Sequence, residues 1–335
     1  MNRKLFSLVG LILSVLLLGG CGTKQSQEAV RDGKITIIAA HATTSDYVYH
    51  IGMETFAKSV TAKTNGKVEV KIYPNGQLGT NEREVVEALQ LGTVNMTVVN
   101  GAVISNFAPR ADVFNLPFIF RDVQHLYKAS DGEPGNVIAK DLEAKGLKVL
   151  AWWSNPQRSM FNSKRPINTL ADLKGLKIRV TQSPVSIETF NALGALPTPM
   201  AYGEVYSGLQ QGVIDGAEND PISVVTMKFN EVAKYYSVTN HFMVACPLLM
   251  DMKYFNNLPP DVQTAVQEAA VEGREAMRRY MEQETDKAMQ KLASQGAVIN
   301  KVQDIEPFRK AVEPVYTKFE ATLGKDLIEM VRNVK

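Results

Sequence analysis

The chain has 335 residues, of which 45% are hydrophobic and 21% are charged, and its formal net charge at pH 7 is +2. A chain of this length can bury a large core, and we expect it to form two lobes. The small net charge, without a basic run or a basic stripe interleaved with aromatic residues, argues against nucleic acid as a partner.

The N-terminal segment has the order of an export signal. Two basic residues precede an apolar run over 5–18 that is too short to span a bilayer, and the run ends in the sequence LGGC. LGGC resembles the lipobox of bacterial lipoproteins, in which the signal is cut before a cysteine that carries lipid. We therefore expect a signal peptide over 1–20 and a lipid anchor on Cys21. The alternative is an ordinary signal cut near Gly20, with Cys21 incidental.

A polar segment over 21–33 follows the expected signal. It has no apolar periodicity, which is typical of a flexible tether between a membrane and a folded domain. If Cys21 carries lipid, Cys246 has no partner for a disulfide, and the surrounding sequence VACPLLM predicts a small buried apolar side chain. An exported chain without a disulfide must depend on its core for stability.

Beyond the tether, apolar periodicity predicts alternating strands and helices. Strands are predicted at 34–40, 67–73, 94–100, 147–153, 158–163 and 175–180. One helical pattern follows residue 52, a second ends at Gly92, and a third begins with Ser183 as N-cap and Pro184 as first helical residue. This alternation indicates βαβ units, a largely parallel sheet and the α/β class.

The last third of the chain contains a long helical pattern. It starts at Pro259-Pro260 and continues to about Gly296, which predicts a helix at about 260–295. At ~1.5 Å per residue such a helix is over ~50 Å long, more than one small domain, so we expect it to span both lobes. A coiled coil is the alternative, but the pattern shows no clean heptad repeat.

Motifs of covalent chemistry are missing from the sequence. It has no GxSxG, HExxH, Walker A or CxxC motif and no GxGxxG after a strand, and its four histidines lack metal-ligand spacing. We therefore expect no metal, no cofactor and no enzyme activity. The alternative is a secreted carbohydrate-active hydrolase that uses Asp215, Glu218 and Asp220, although a turn after Gly212 explains this acidic cluster more simply.

Several long segments, in the same order along the chain, resemble one family. They are YPNGQLG (73–79), NSKRPINTLADLKGLKIRV (162–180), PTPMAYGEVYSGLQQGVIDGAEN (197–219) and KYYSVTNH (234–241). They are similar to the extracytoplasmic solute receptors of tripartite ATP-independent periplasmic (TRAP) transporters, of the dicarboxylate-receptor family. The resemblance implies capture of an organic acid anion and its delivery to separate membrane subunits, with energy from an ion gradient and without ATP.

The same resemblance implies a two-lobed periplasmic-binding-protein fold of the Venus-flytrap type, whose lobes close over the ligand. We assign 34–155 and 246–282 to lobe 1 and 156–245 and 283–335 to lobe 2, with the long helix shared. The protein is expected outside the cytoplasmic membrane, held there by its lipid. The receptor of an ATP-driven transporter is the alternative, but the single long helix and the spacing from KIRV to GAEN argue against it.

The strand GLKIRV places Lys177 and Arg179 on one face, which fits either a solvated face or an arginine that waits for an anion. In the family this arginine grips the ligand's carboxylate, so the resemblance implies that role for Arg179. A planar guanidinium can make two parallel charge-assisted hydrogen bonds to one carboxylate. The resemblance also implies ligand contacts for Arg158, otherwise a surface residue, and for Asn219, otherwise a turn residue.

Further candidates carry over less directly. Tyr202 stands where the family usually has phenylalanine, and Glu82 falls near a family acidic contact, in a loop one residue longer here. His41 and Asn100 end strands, where open α/β sheets place ligand contacts, and Trp153 could line the cleft or fill the core. Because a cleft carboxylate repels a second ligand carboxylate and accepts from hydroxyls, these residues favour a sugar acid such as a uronate over a C4-dicarboxylate.

Overall fold

The computed structural model describes residues 30–31 and 34–335. The predicted signal peptide over 1–20, the predicted lipid site at Cys21 and most of the predicted tether lie outside the described residues.

The described chain forms strands and helices that alternate through most of its length. The strands are β1 (Val30–Arg31), β2 (Lys34–Ala40), β3 (Val68–Tyr73), β4 (Met96–Val98), β5 (Leu147–Ser154), β6 (Arg158–Asn162), β7 (Lys177–Val180), β8 (Leu196–Pro199), β9 (Gly216–Asn219), β10 (Tyr235–Phe242), β11 (Ala245–Asp251) and β12 (Val298–Lys301).

The α-helices are α1 (Val48–Lys63), α2 (Glu82–Gln90), α3 (Gly101–Ile104), α4 (Val123–Asp131), α5 (Glu133–Glu143), α6 (Pro184–Ala192), α7 (Val205–Gln210), α8 (Pro221–Thr226), α9 (Met252–Asn256), α10 (Pro260–Ser294), α11 (Glu306–Ala311), α12 (Glu313–Leu323) and α13 (Lys325–Asn333). Short 3₁₀ segments occur at Pro109–Asn115, Leu170–Leu173, Tyr202–Glu204 and Phe229–Glu231.

Side-chain caps set the start of the helices that surround the later site. Ser183 Oγ accepts from Ser186 N at 3.1 Å, so α6 begins at Pro184 as predicted. Asn81 caps α2 through Arg83 N, which makes Glu82 the first helical residue. Such caps satisfy backbone N–H groups that have no partner inside the helix.

The strands form two sheets, one in each lobe. The first has the order β1-β2-β4-β11-β5, with β3 also paired to β2, and the second has the order β12-β10-β6-β9-β7-β8. Most of the predicted strands are present with ends shifted by one or two residues. The α/β class is confirmed.

Both sheets are mixed rather than largely parallel as predicted. In the first sheet β2 is parallel to β3 and β4, but β11 is antiparallel to both β4 and β5. In the second sheet β7 is parallel to β8 and β9, but β6 is antiparallel to β9 and β10. The antiparallel pairs involve strands that enter from the other lobe, and local periodicity does not reveal that direction.

The chain crosses between the lobes at two adjacent points. Residues 155–157 connect β5 to β6, and residues 243–244 connect β10 back to β11. Asn155 N donates to Val244 O at 3.3 Å, which ties the two connections together. We call these two connections the hinge segments.

The long helix α10 runs from Pro260 to Ser294 and provides a third connection. It packs against α1 and β5 of the first lobe and against α8 of the second. The predicted long helix that spans both lobes is confirmed, and the coiled-coil alternative is wrong. The C-terminal helices contact both lobes, since α12 packs on α6 and α13 on α5. The residue boundaries given above for the two lobes therefore stay a proposal.

Candidate ligand-binding site

A small cavity lies between the lobes, at the ends of several strands. Its lining is mostly polar and consists of Thr43, Tyr47, Tyr49, Glu82, Asn100, Asn155, Arg158, Arg179, Thr181, Tyr202, Asn219 and Ser223. Its volume is about 20 Å³, enough for about one water molecule. The lobes are therefore closed on each other, and a larger molecule requires them, or the lining side chains, to move.

Arg179 is buried, and its strand β7 lies between β9 and the edge strand β8 of the second sheet. Its Nε and one terminal nitrogen both donate to Met200 O, at 3.0 and 2.8 Å. Within residues 34–335 no carboxylate oxygen lies within 4.0 Å of this guanidinium. Burial lowers the pKa of Arg179, and Glu218 opposes that shift. A buried cation that has no carboxylate in direct contact gains stability from an anion that enters the cavity.

Arg158 has the opposite electrostatic situation. Its Nε and one terminal nitrogen donate to the two carboxylate oxygens of Glu218, at 2.6 and 2.8 Å, and its other terminal nitrogen donates to Asn219 Oδ1 at 2.6 Å. Burial alone would lower the pKa of Arg158, but Glu218 raises it overall. Both side chains are only 3% exposed, so the charge of Arg158 is already matched inside the protein.

Asn219 and Tyr202 meet at a third side chain. Asn219 Nδ2 donates to Ser223 Oγ at 2.8 Å, and the Tyr202 hydroxyl is hydrogen-bonded to the same oxygen. The Tyr202 ring centroid lies 5.9 Å from Arg179 Cζ, within the range of a cation–π contact. The second lobe therefore contributes one wall of the cavity, which contains Arg158, Arg179, Asn219 and Tyr202. Arg158 follows directly after the hinge segment 155–157.

Glu82 lies across the cavity in the first lobe. Its Oε1 accepts from Asn100 N at 3.0 Å. Its Oε2 has no hydrogen-bond partner in the described part of the chain, and the side chain lines the cavity. Burial raises the pKa of Glu82, while the Asn100 N–H and the two arginines act in the opposite direction. The longer loop before α2 thus leaves the carboxylate in the cleft.

His41 and Trp153 do not line the cavity. Both ring nitrogens of His41 are engaged, with Thr43 Oγ1 at 2.9 Å and with His50 Nδ1 at 3.0 Å. Burial, followed by the neighbouring His50, lowers the pKa of His41 to about 3. Trp153 is fully buried, and its Nε1 donates to Ala270 O in α10 at 3.4 Å. Of the two roles considered for Trp153, the structure places it in the core.

Half of the lining residues were not predicted. They are Thr43, Tyr47, Tyr49, Asn155, Thr181 and Ser223. Three of them carry a recognisable signal, since Thr43, Asn155 and Thr181 each follow the end of a strand within three residues. The two tyrosines and Ser223 lie at helix starts, and nothing in their local sequence separates them from core or capping residues.

The acidic cluster does not form a catalytic pair. Asp215 Oδ2 accepts from Lys177 N at 2.9 Å, Glu218 is paired with Arg158, and Asp220 caps α8 through Ser223 N at 2.8 Å. In the part of the chain that the structure describes, no group of three or more histidine, cysteine or acidic side chains could hold a metal ion. None of the helices described is long and apolar enough to span a membrane.

Two α/β lobes, two hinge segments and a buried, unmatched cation between the lobes define a two-lobed receptor for an anionic solute. The family model for DctP, the bacterial extracellular solute-binding proteins of family 7, matches residues 39–322. The chain belongs to this family, and the predicted TRAP-receptor resemblance is confirmed.

Relatives in this family have different ligands. The C4-dicarboxylate-binding periplasmic protein of Rhodobacter capsulatus is 34% identical, over 89% of this chain and 90% of its own. A TRAP solute-binding protein from a Sulfitobacter species, solved with β-D-galacturonate, is 34% identical with a TM-score of 0.86, over 89% of this chain and 99% of its own. One from Sulfurospirillum deleyianum, solved with succinate, is also 34% identical, with a TM-score of 0.85, over 90% of this chain and 99% of its own.

Proposed function

We propose that this TRAP receptor binds a monocarboxylate sugar acid, such as a uronate, and delivers it to its membrane subunits without covalent chemistry. The observation that carries the proposal is the charge balance of the cavity. Arg179 is a buried cation with no adjacent carboxylate, whereas Arg158 is already paired with Glu218. The site therefore has one cation to offer, which suits one ligand carboxylate.

Glu82 extends this argument from the carboxylate to the rest of the ligand. The side chain lines the cavity and its Oε2 has no hydrogen-bond partner in residues 34–335, so we propose that Oε2 accepts from a ligand hydroxyl. A second ligand carboxylate at the same place would be repelled. Asn100, Tyr202 and Asn219 supply further polar groups for hydroxyls, and His41 is proposed to act indirectly by fixing the Thr43 hydroxyl. The galacturonate-bound relative supports a uronate, but the succinate-bound relative means that fold alone does not choose the ligand.

The test is calorimetric titration with glucuronate, galacturonate and succinate. We expect a uronate to bind more tightly than succinate, and Glu82→Gln to narrow that difference about tenfold or more, because a neutral amide no longer repels a second carboxylate. Glu84→Gln, the same change at an exposed position of α2, is the matched control. Tighter binding of succinate by the unaltered protein would contradict the sugar-acid proposal. The bound acid should be recovered chemically unchanged after incubation.

The lipid anchor is a separate proposal that depends on the LGGC sequence. We propose that Cys21 is acylated and that the polar segment 21–33 tethers the receptor outside the cytoplasmic membrane. Cys21→Ser should release the protein from the membrane fraction without changing its ligand affinity. Mass spectrometry distinguishes released protein from uncleaved precursor. A processed serine variant that still fractionates with membranes would contradict the anchor.

A further inference from the structure

One tyrosine hydroxyl connects the two lobes and a hinge segment. Tyr47 precedes α1 in the first lobe, and its hydroxyl donates to Asp220 Oδ2 in the second lobe at 2.7 Å. The Tyr47 hydroxyl oxygen in turn accepts from Nδ2 of Asn155, a hinge residue, at 3.0 Å. All three side chains are buried. Because the partners belong to different lobes, opening of the cleft separates Tyr47 from Asp220.

Tyr47 also lines the ligand cavity. Its one hydroxyl proton is used by Asp220, so the group has no proton left to donate to a ligand. The residue therefore meets a ligand with its ring, which offers an apolar surface to the C–H face of an acid held by Arg179. Tyr47 can therefore contact the ligand with its ring while its hydroxyl bonds to the other lobe.

The neighbouring Tyr49 has different hydrogen-bond partners. It is equally buried, lines the same cavity and packs edge-on against Tyr47 with ring centroids 5.1 Å apart. Its hydroxyl hydrogen-bonds to Asn155 Oδ1 at 2.5 Å and lies 3.0 Å from Cys246 Sγ. These partners belong to a hinge segment and the first lobe, so Tyr49 makes no bond to the second lobe. Cys246, predicted to be a simple apolar residue, is part of this polar network.

We propose that the Tyr47–Asp220 hydrogen bond holds the lobes closed around a bound acid, so that Tyr47 is a positioning residue for ligand capture. A hydrogen bond to a buried carboxylate is stronger than one between neutral groups, because the charge is poorly screened. Ligand affinity depends on the population of the closed state, so a bond that exists only in that state tightens binding without choosing the ligand. The inference rests on the proposed function only because its test requires an organic acid that binds to the receptor.

The test compares Tyr47→Phe with Tyr254→Phe, which loses the same group from a position outside the cavity. Tyr254 is half-buried in the first lobe, and its hydroxyl donates to Thr36 O at 2.8 Å. Stopped-flow measurements with the tightest-binding uronate should show that Tyr47→Phe accelerates dissociation about tenfold. Tyr254→Phe should change the dissociation rate less than about twofold. Small-angle scattering at a fixed subsaturating ligand concentration should show a larger mean radius of gyration for Tyr47→Phe. A purely structural role would lower the thermal stability of both variants and leave their dissociation rates alike.

A double-mutant cycle isolates the bond itself. Asp220→Ser keeps the α8 cap, because serine caps helices well, but it has no second oxygen that could accept from Tyr47. When Tyr47→Phe is added to this Asp220 variant, the dissociation rate should change less than about twofold. The single and the double variant both lack the Asp220 charge, so its loss does not affect the comparison. Equal effects of Tyr47→Phe in both backgrounds, or equal rates for Tyr47→Phe and Tyr254→Phe, would overturn the inference. Failure of every acid to bind the unaltered protein would instead overturn the proposed function.

Discussion

At the scale of single residues, the partners of two arginines decide their roles. Arg158 and Arg179 line the same cavity, are similarly buried and come from two strands of one sheet, β6 and β7, which β9 separates. Arg158 donates hydrogen bonds to Glu218 and Asn219, whereas Arg179 donates only to Met200 O among the described residues. A guanidinium has five N–H donors in a fixed plane, so Arg179 retains an edge that matches a carboxylate.

This geometry predicts that Arg179 cannot be replaced by another cation. Arg179→Lys and Arg179→Ala should leave the fold intact but weaken binding of the preferred acid at least about tenfold, because the planar pair of donors is lost. Lys177→Ala, two residues away on the same strand, should leave the affinity unchanged because its Nζ donates to Gly212 O, away from the cavity. Unchanged calorimetric affinity for Arg179→Lys would rule out bidentate capture by this residue.

At the scale of elements, two helices of the first lobe approach closely around one indole ring. A Cβ built at Gly52 in α1 would lie 2.7 Å from two carbons of Trp153. A Cβ at Gly273 in α10 would lie 2.7 Å from Gly52 O and 3.1 Å from Trp153 Cζ2. The long helix is therefore anchored in the first lobe by positions that lack a side chain.

Gly273→Ala should accordingly destabilise the protein by about 1–3 kcal/mol, because the added methyl group displaces the backbone of α1 or the indole. An alanine in a helix interior would otherwise stabilise, so the sign of the change is diagnostic. Val271→Ala, an exposed position of the same helix, should stay within about 0.5 kcal/mol of the unaltered protein. Urea unfolding measures both, and a stabilised Gly273→Ala protein would contradict this packing.

A second contact between the lobes brings a carboxylate of the first lobe to the start of helix α6 in the second lobe. Asp112, in the 3₁₀ segment Pro109–Asn115, accepts from Ser183 Oγ at 2.9 Å, beside the start of α6. Burial raises the pKa of Asp112 to about 7, although its hydrogen bonds act in the opposite direction. Between the ordinary pKa of 3.8 and this raised pKa, the folded protein therefore holds a proton that the unfolded chain has released.

Stability should depend on pH through this group in a defined direction. Between about pH 4 and pH 7 the folded state binds more protons, so the contribution of Asp112 falls as pH rises. Relative to Asp112→Asn, the unaltered protein should lose up to ~1.4 kcal/mol of unfolding free energy per pH unit from pH 5 to pH 7. Urea unfolding at both pH values checks this. Parallel pH profiles for the two proteins would contradict the raised pKa.

At the scale of the whole molecule, closure brings the rims of the cleft into contact. A Cβ built at Gly203, in the second lobe, would lie 2.9 Å from Thr80 Cβ, in the loop before α2 of the first lobe. The absence of a side chain at Gly203 thus allows the lobes to approach. The proposed ligand contacts of Arg179 and Glu82 require this approach, because the two residues belong to different lobes.

Gly203→Ala should therefore keep the lobes apart, like a wedge, because the added methyl group clashes with Thr80 when the cleft closes. We expect weaker ligand binding, by about fivefold or more, and a more open liganded protein in small-angle scattering. The melting temperature without ligand should change little, since an opened cleft relieves the clash. Thr80→Gly in the same chain removes the opposing atom and should restore affinity. If the double variant binds no better than Gly203→Ala alone, the wedge explanation fails.

The sequence by itself determined the local elements and the class of the molecule. Alternating apolar residues predicted the strands, Ser183-Pro184 predicted the start of α6, and the run after Pro259 predicted α10 almost to the residue. These features depend on backbone geometry and on neighbours a few positions apart, which a sequence displays directly. The family resemblance added Arg179, Arg158, Asn219, Glu82 and Tyr202, and the end of a strand added Asn100. All six line the cavity.

Only the tertiary structure decided how those residues are paired. The ion pair between Arg158 and Glu218 and the hydrogen bond from Tyr47 to Asp220 join positions that are up to 173 residues apart. The orientation of Glu82 toward the cleft also depends on the packing of the lobes. Tyr47 and Asp220 look locally like a core aromatic residue and a helix cap, and Trp153 at a strand end looks as suited to a cleft as to a core. Which charge is matched, and which side chain faces the ligand, depends on how the lobes and sheets pack, and no local pattern encodes that arrangement.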